Sequence, residues 1–462
     1  MSLARQGLFV AGAIVIAVII PADMSLVRKA LLVAVAAIVF GVIIPSFFKP
    51  SYPVPEIFGT VAPGFEEVRE VFRKNYEDNW DHRAAGSALS VYHKGEKVVD
   101  LWAGYADVEA KRLWKEDTMT IIFSTTKGLT SLCAAMLVDR GHIELKKPVA
   151  HYWPEFAQHG KEKITVEQLL EHEAGLAATN TPLSYEVLKD HDAMDRILAE
   201  TKPMWEPGTN YGYHGITFGL YVDALIRRTD PKKRTVGQFF DEEVSKPFGI
   251  DAYIGVPLGL AHRVGRCINV PGTFSHTIYA MLNIRMVRRM ILSSIFGGSG
   301  SEMFTKMFKS AGDLCQFGRL ADPDILNIEV ASFNGVATAE ALAKLFDILA
   351  NGGKQGDKTL LSKRIIDEYI NDRRGLIPNI VMFDHLGRRK YGMDVVPQGE
   401  NAGNVFGASG AGGQVGYADP NNNIGYGFVS RYMSPMGIQF LDPRFKNLQE
   451  SILKAVEATK KP

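Results

Sequence analysis

Two stretches near opposite ends of the chain alternate apolar and polar residues with the period of a β-strand. They constrain the fold more than anything between them. Residues 88–104 (ALSVYHKGEKVVDLWAG) alternate around Lys94-Gly95-Glu96, and residues 414–430 (QVGYADPNNNIGYGFVS) alternate around a Pro-Asn-rich turn. Side chains on a strand point alternately to opposite faces, so each stretch predicts a hairpin. An amphipathic helical pattern over residues 65–75 precedes the first hairpin, and another over 445–458 follows the second. Strands from both ends with helices beside them predict an α+β fold. Its form is an α/β/α sandwich around one central antiparallel sheet closed by the two termini. Residues 165 to about 350 read as an inserted helical region broken by Gly and Pro.

The first fifty residues are of another kind. Residues 7–22 and 30–48 carry no charge. At about 1.5 Å of rise per residue the second run reaches roughly 28 Å, close to the thickness of a bilayer core. The sequence therefore predicts a membrane anchor over residues 1–50, single-pass or two-pass, with its sidedness open. A linker over 51–62 follows, in a stretch marked by Pro50, Pro53 and Pro55, and the main domain occupies 63–460. Residues 276–296 form a Met-rich apolar stretch holding Arg285, Arg288 and Arg289. Four readings stay open for it: a membrane-surface helix, a cover over the active site, a partner contact, or a packed helix with one basic stripe.

Composition narrows the chemistry. Lys plus Arg number 52 and Asp plus Glu 51, a formal net charge of +1 that leaves no basic excess for nucleic acid. Cys133, Cys267 and Cys315 lie far apart, and the eleven histidines include no HExxH. No disulfide framework, metal or cofactor is expected. No GxSxG elbow occurs, which argues against an α/β-hydrolase. The oligomeric state is left open.

The sharpest element is Ser124-Thr125-Thr126-Lys127, at the start of an apolar helical run over 129–138. Residues three apart share a helix face, so the ammonium can lie beside the hydroxyl. A desolvated Lys gives up its proton more readily and can activate the Ser, while the first-turn N–H groups favour a developing anion. The spacing alone is weak, because Ser46-x-x-Lys49 and Ser451-x-x-Lys454 share it. The middle copy is followed by Leu170-Glu171-His172-Glu173-Ala174-Gly175, then Trp205-Glu206-Pro207-Gly208 with Tyr213-His214-Gly215. Lys246-Pro247-Phe248-Gly249 and Phe406-Gly407-Ala408-Ser409-Gly410-Ala411-Gly412-Gly413 come later.

In order and spacing these motifs resemble the serine β-lactamase-like family of class C β-lactamases, DD-peptidases and related serine esterases. The likeness is strongest to eukaryotic members with an N-terminal membrane segment. The resemblance implies Ser124 as acylated nucleophile, Lys127 as its proton partner and Tyr213 as the tyrosine of the Tyr-x-Asn motif. It also implies an oxyanion hole from the backbone N–H groups of Ser124 and Ala411, with Ser409 and Gly410 lining the substrate site. His214 is a candidate substrate contact, and His172 a structural residue. Two departures stand out: Gly215 replaces the motif's Asn, and Ala408 replaces a Lys or His cation. Both weaken recognition of a substrate carboxylate, so an ester or peptide substrate is expected ahead of a β-lactam. A catalytically weak binding scaffold at a membrane is the competing reading.

Overall fold

The computed structural model describes residues 52–267, 299–383, 385–399, 402–434 and 442–460. Its spine is an eight-stranded sheet. The strands, numbered along the chain, are β1 Ile57–Val61, β2 Ser87–His93, β3 Glu96–Ala103, β4 Arg389–Lys390, β5 Met393–Val396, β6 Val405–Gly410, β7 Gln414–Asp419 and β8 Ile424–Ser430. They lie in the order β1-β3-β2-β8-β7-β6-β5-β4, antiparallel throughout. The two ends of the chain meet in its interior, where β2 pairs β8 from Ser87 opposite Ser430 to His93 opposite Ile424. The first hairpin turns at Lys94 and Gly95, with φ of 54° and 84°. Two successive left-handed residues are what a tight turn between right-twisted strands requires.

Six helices frame the site: α1 Glu66–Glu77, α2 Thr126–Asp139, α3 Thr217–Thr229, α4 Ser299–Ala311, α5 Ala339–Ala350 and α6 Pro443–Thr459. Helices α1 and α6 cover one face, burying Phe72, Tyr76, Phe445 and Ile452 against Leu89, Val91, Tyr426 and Phe428. The larger core lies on the other face, where Leu129 of α2, Phe218 of α3 and Phe346 of α5 meet Phe406. Strand β8 alternates large residues toward α6 with glycines toward α5. A Cβ at Gly427 would lie 2.0 Å from the Ala339 carbonyl oxygen, so the helix rests on bare backbone.

The middle of the chain is less purely helical than its sequence suggests. Val336–Ala337 joins Thr120–Ile121 and Ala252–Tyr253 in a small three-stranded sheet. Strands of two residues are too short to leave an alternation to read.

The membrane expectation is corrected. Residues 7–22 and 30–48, on which it rested, lie outside the described residues, as does the 276–296 stretch with its four open readings. Among the described residues no helix is long and apolar enough to cross a membrane. The 17-residue α6 is amphipathic, and its apolar side is already buried against the sheet. Membrane localisation is therefore withdrawn from the account of this chain.

Candidate active site

Ser124 lies in a 3-10 turn, Phe123–Thr125, that leads directly into α2. The residue before it, Phe123, has a left-handed φ of 45°, a conformation that costs a bulky residue about 1–3 kcal/mol and needs its surroundings to enforce it. Burial enforces it here, with the Phe123 ring edge-on to Phe333 at 5.4 Å between centroids. Ser124 is left half-buried at the head of α2. Lys127, one turn on, is buried, and its Nζ donates to Ser124 Oγ at 3.3 Å and to the Ser332 carbonyl at 2.8 Å. Burial first, and then the Arg389 guanidinium, hold the lysine well below its ordinary pKa.

Tyr213 closes the triangle, its hydroxyl donating to Ser124 Oγ at 2.6 Å. It is held from both ends. Its backbone N–H donates to Asn379 Oδ1 at 3.0 Å, which also accepts from Val381 and Met382 N–H. Its ring stacks on His172 at 5.5 Å and 13°, and that imidazole also stacks on Phe218 of α3 at 4.8 Å. Lys127 Nζ is 4.8 Å from the Tyr213 ring centroid. Burial pushes the phenol up to about 12, against a downward pull from Arg389.

Strand β6 brings its last residues to the serine turn. A Cβ at Gly410 would lie 2.2 Å from the Ile122 carbonyl oxygen, so only glycine lets strand and turn approach this closely. Ala411 follows at an exposed position, and the next turn is closed by Gly413 N–H donating to the Gly410 carbonyl at 3.1 Å. Ser409 is half-buried, with its hydroxyl turned to the Tyr417 phenol. Ala408 is buried, and a Cβ on Gly128 of α2 would come within 3.0 Å of its methyl. A Lys or His side chain at 408 has no room there unless α2 moves.

His214 differs from the sequence expectation. It is fully buried, with Nδ1 donating to the Gly212 carbonyl at 2.7 Å and Nε2 accepting from Leu176 N–H at 2.8 Å. Both nitrogens are engaged by backbone, and burial holds the ring down to about 3. It braces the loop beneath Tyr213 and presents nothing to a substrate. Beside it, a Cβ at Gly215 would lie 2.8 Å from Met307 Sδ. Met307 of α4 thus fills the space into which an asparagine at 215 would project, within an apolar cluster that includes Ala177, Val381, Trp205 and Phe304.

The comparisons bear on the family and the fold. The beta-lactamase family profile matches residues 70–450. The chain belongs to the beta-lactamase family. Esterase/beta-lactamase LipL of Mycobacterium tuberculosis is 32% identical over 390 residues, covering 82% of this chain and 84% of LipL. The human mitochondrial serine beta-lactamase-like protein LACTB matches a shorter stretch, 30% identical over 28% of this chain and 24% of LACTB. Among solved structures, a family VIII carboxylesterase superposes with a TM-score of 0.74 at 31% identity, over 87% of this chain and 100% of that one. A penicillin-binding protein homolog from Caulobacter crescentus gives 0.70 at 29%, over 87% and 100%. The chain is a serine hydrolase of this family.

Several site residues escaped the motifs. Asn379 fixes Tyr213, Ser332 holds Lys127, Met307 replaces the family's amide, and Arg389 with Asp394 lies behind Tyr213. Asn379 follows a proline and reads as a turn residue, and Arg389 is hidden in the run Arg388-Arg389-Lys390, which reads as solvated charge. Neither carried a signal of its own. Among the described residues, Asp100, Glu116 and Glu340 bring carboxylates within 4.8 Å of one another. Lys97 reaches all three, at 2.9, 3.9 and 3.2 Å, so its ammonium offsets part of their charge.

Proposed function

We propose that this member of the family hydrolyses esters through a covalent acyl-enzyme on Ser124. The observation that carries the reading is convergence on one oxygen: Tyr213 hydroxyl at 2.6 Å and Lys127 Nζ at 3.3 Å from Ser124 Oγ. Burial favours the neutral amine of Lys127, which can take the Ser124 proton as Oγ attacks the ester carbonyl carbon. The carbonyl oxygen becomes an anion facing the N–H groups of Ser124 and Ala411. As the tetrahedral intermediate collapses, its C–O bond breaks and the leaving alkoxide takes the Tyr213 proton. Tyr213 regains a proton from Lys127. Water then repeats the sequence, releasing the acid and restoring the Ser124 hydroxyl.

An ester is favoured over a peptide or a β-lactam on two grounds. With Gly215 and Met307 in place of an asparagine, no side-chain amide is offered at that position, and an apolar thioether takes its space. With Ala408 buried under α2, no cation is offered at the end of β6 for a carboxylate. The name carboxylesterase of one structural neighbour supports ester cleavage, and the name esterase/beta-lactamase of LipL includes it.

A fluorophosphonate probe is expected to add its mass to the peptide that contains Ser124, and Ser124→Ala to abolish the addition. Tyr213→Phe is expected to slow turnover of a short-chain aryl ester by roughly a hundredfold or more. The unmodified protein should cleave that ester much faster than a penicillin or cephalosporin. Labelling that persists in Ser124→Ala removes the nucleophile, and equal rates on ester and cephalosporin remove the substrate argument.

A further inference from the structure

We propose that Arg389, paired with Asp394, is a positioning residue of this site: a fixed buried cation that acts on Lys127 and Tyr213. The inference rests on the serine-hydrolase reading above. Arg389 and Asp394 are cross-strand partners in the β4–β5 hairpin, with Nη2 2.7 Å from the carboxylate. The guanidinium is buried and lies 5.4 Å from the Tyr213 ring centroid. A pair whose purpose was only to join two strands would not need to lie there.

The pair does not cancel itself at the site. Nη1 of Arg389 donates to the Gly392 carbonyl at 2.7 Å, and its Nε is buried without an acceptor. The second oxygen of Asp394 accepts from the Tyr417 phenol at 3.0 Å, which draws the negative end toward the sheet. Arg389 therefore outweighs Asp394 at both Lys127 and Tyr213, lowering the pKa of each against an opposing rise from the aspartate. The other titratable groups facing them are Tyr211, His172 and His214. Burial keeps both imidazoles neutral and raises the Tyr211 phenol, so none of the three supplies a competing charge near neutral pH.

The sign of the consequence follows directly. A nearby cation disfavours a protonated amine and favours a phenolate, so it extends the proton-accepting state of either group to lower pH. Removing the cation must move the acid limb of the reaction to higher pH, whichever of the two accepts the serine proton.

The test is the second-order rate of fluorophosphonate labelling at Ser124 across pH, in the full chain. Arg389→Met is expected to shift the acid limb upward by about one pH unit, a roughly tenfold loss of rate on that limb. Arg389→Lys, which keeps the charge, should hold the limb near its original place. Asp394→Asn, which removes the opposing anion, should shift it downward. Opposite signs in two variants of one ion pair are not produced by a loosened fold, and if Arg389→Met fails to fold, Asp394→Asn and Arg389→Lys still decide. Coincident limbs in Arg389→Met and the unmodified protein would overturn the inference alone, as would shifts of the same sign in Arg389→Met and Asp394→Asn. Absence of labelling at every pH in the unmodified protein would overturn the serine chemistry with it.

Discussion

His172 and His214 are adjacent and buried, and burial keeps both rings uncharged in the folded protein near neutral pH. His214 titrates near 6.5 when unfolded and is held down to about 3 when folded, chiefly by burial. Its contribution to stability is therefore complete above pH 6.5 and falls as the pH drops toward 3, by about 1.4 kcal/mol per pH unit for one proton. Glu329 and Asp347 work the other way, raised by burial to about 7 and about 6, so they add stability as the pH falls through those values. Net stability mixes both signs, and the useful quantity is a difference. The unfolding free energy of His214→Gln, measured by urea denaturation from pH 7 to 4, is expected to fall less steeply than that of the unmodified protein, by about one proton's slope. Equal slopes would place the His214 proton uptake elsewhere. At this scale the sequence was readable where spacing imposes geometry, as with Lys127, which the three-residue spacing brings back to Ser124 at 3.3 Å. It was unreadable where a side chain meets backbone, which is why His214 resembled a ligand contact and Arg389 a surface charge.

Elements were legible for a different reason. The two hairpins could be placed because alternation and turn chemistry agree, and α1 and α6 because each buries one stripe. The short strands at 252–253 and 336–337 and the half-turn around Phe123 are set by tertiary contacts and leave no local pattern. The glycines of β8 belong to the same class, since they read as weak strand residues until α5 is seen lying on them. Their spacing lets α5 press on the sheet, and α5 in turn meets β7, where a Cβ at Gly416 would lie 2.5 Å from the Phe346 ring. Gly427→Ala is expected to force α5 outward and cost about 1–3 kcal/mol as an overpacked contact. Because α5 carries no site residue, labelling of Ser124 in the folded fraction should persist while the urea midpoint drops. A midpoint unchanged from the unmodified protein would show that helix and sheet are less closely apposed than described.

At the scale of the whole molecule, the last helix reaches back into the chemistry. Arg444, fully buried at the start of α6, pairs with Asp442 at 2.6 Å and with Asp81 at 3.3 Å, and it donates to the Gly412 carbonyl. Gly412 belongs to the turn that presents Ala411, so one side chain ties the final helix, the segment before β2 and the proposed oxyanion donor together. Arg444→Met leaves buried carboxylates without their partner and is expected to cost about 3–5 kcal/mol. It should also slow Ser124 labelling under conditions where circular dichroism shows the protein still folded. A labelling rate equal to that of the unmodified protein in the folded variant would detach α6 from the site. Asp81 and Arg444 are separated by 363 positions. A ribosome therefore finishes Ser124, Lys127 and Tyr213 long before it makes Gly410, Ala411 and Arg444, and β2 emerges without the strand it will pair with. The proposed site therefore has no assembled form until these late segments are made. The cost of that delay falls on β2 and β3: until β8 is made, the hairpin keeps an unpaired β2 edge that can pair wrongly.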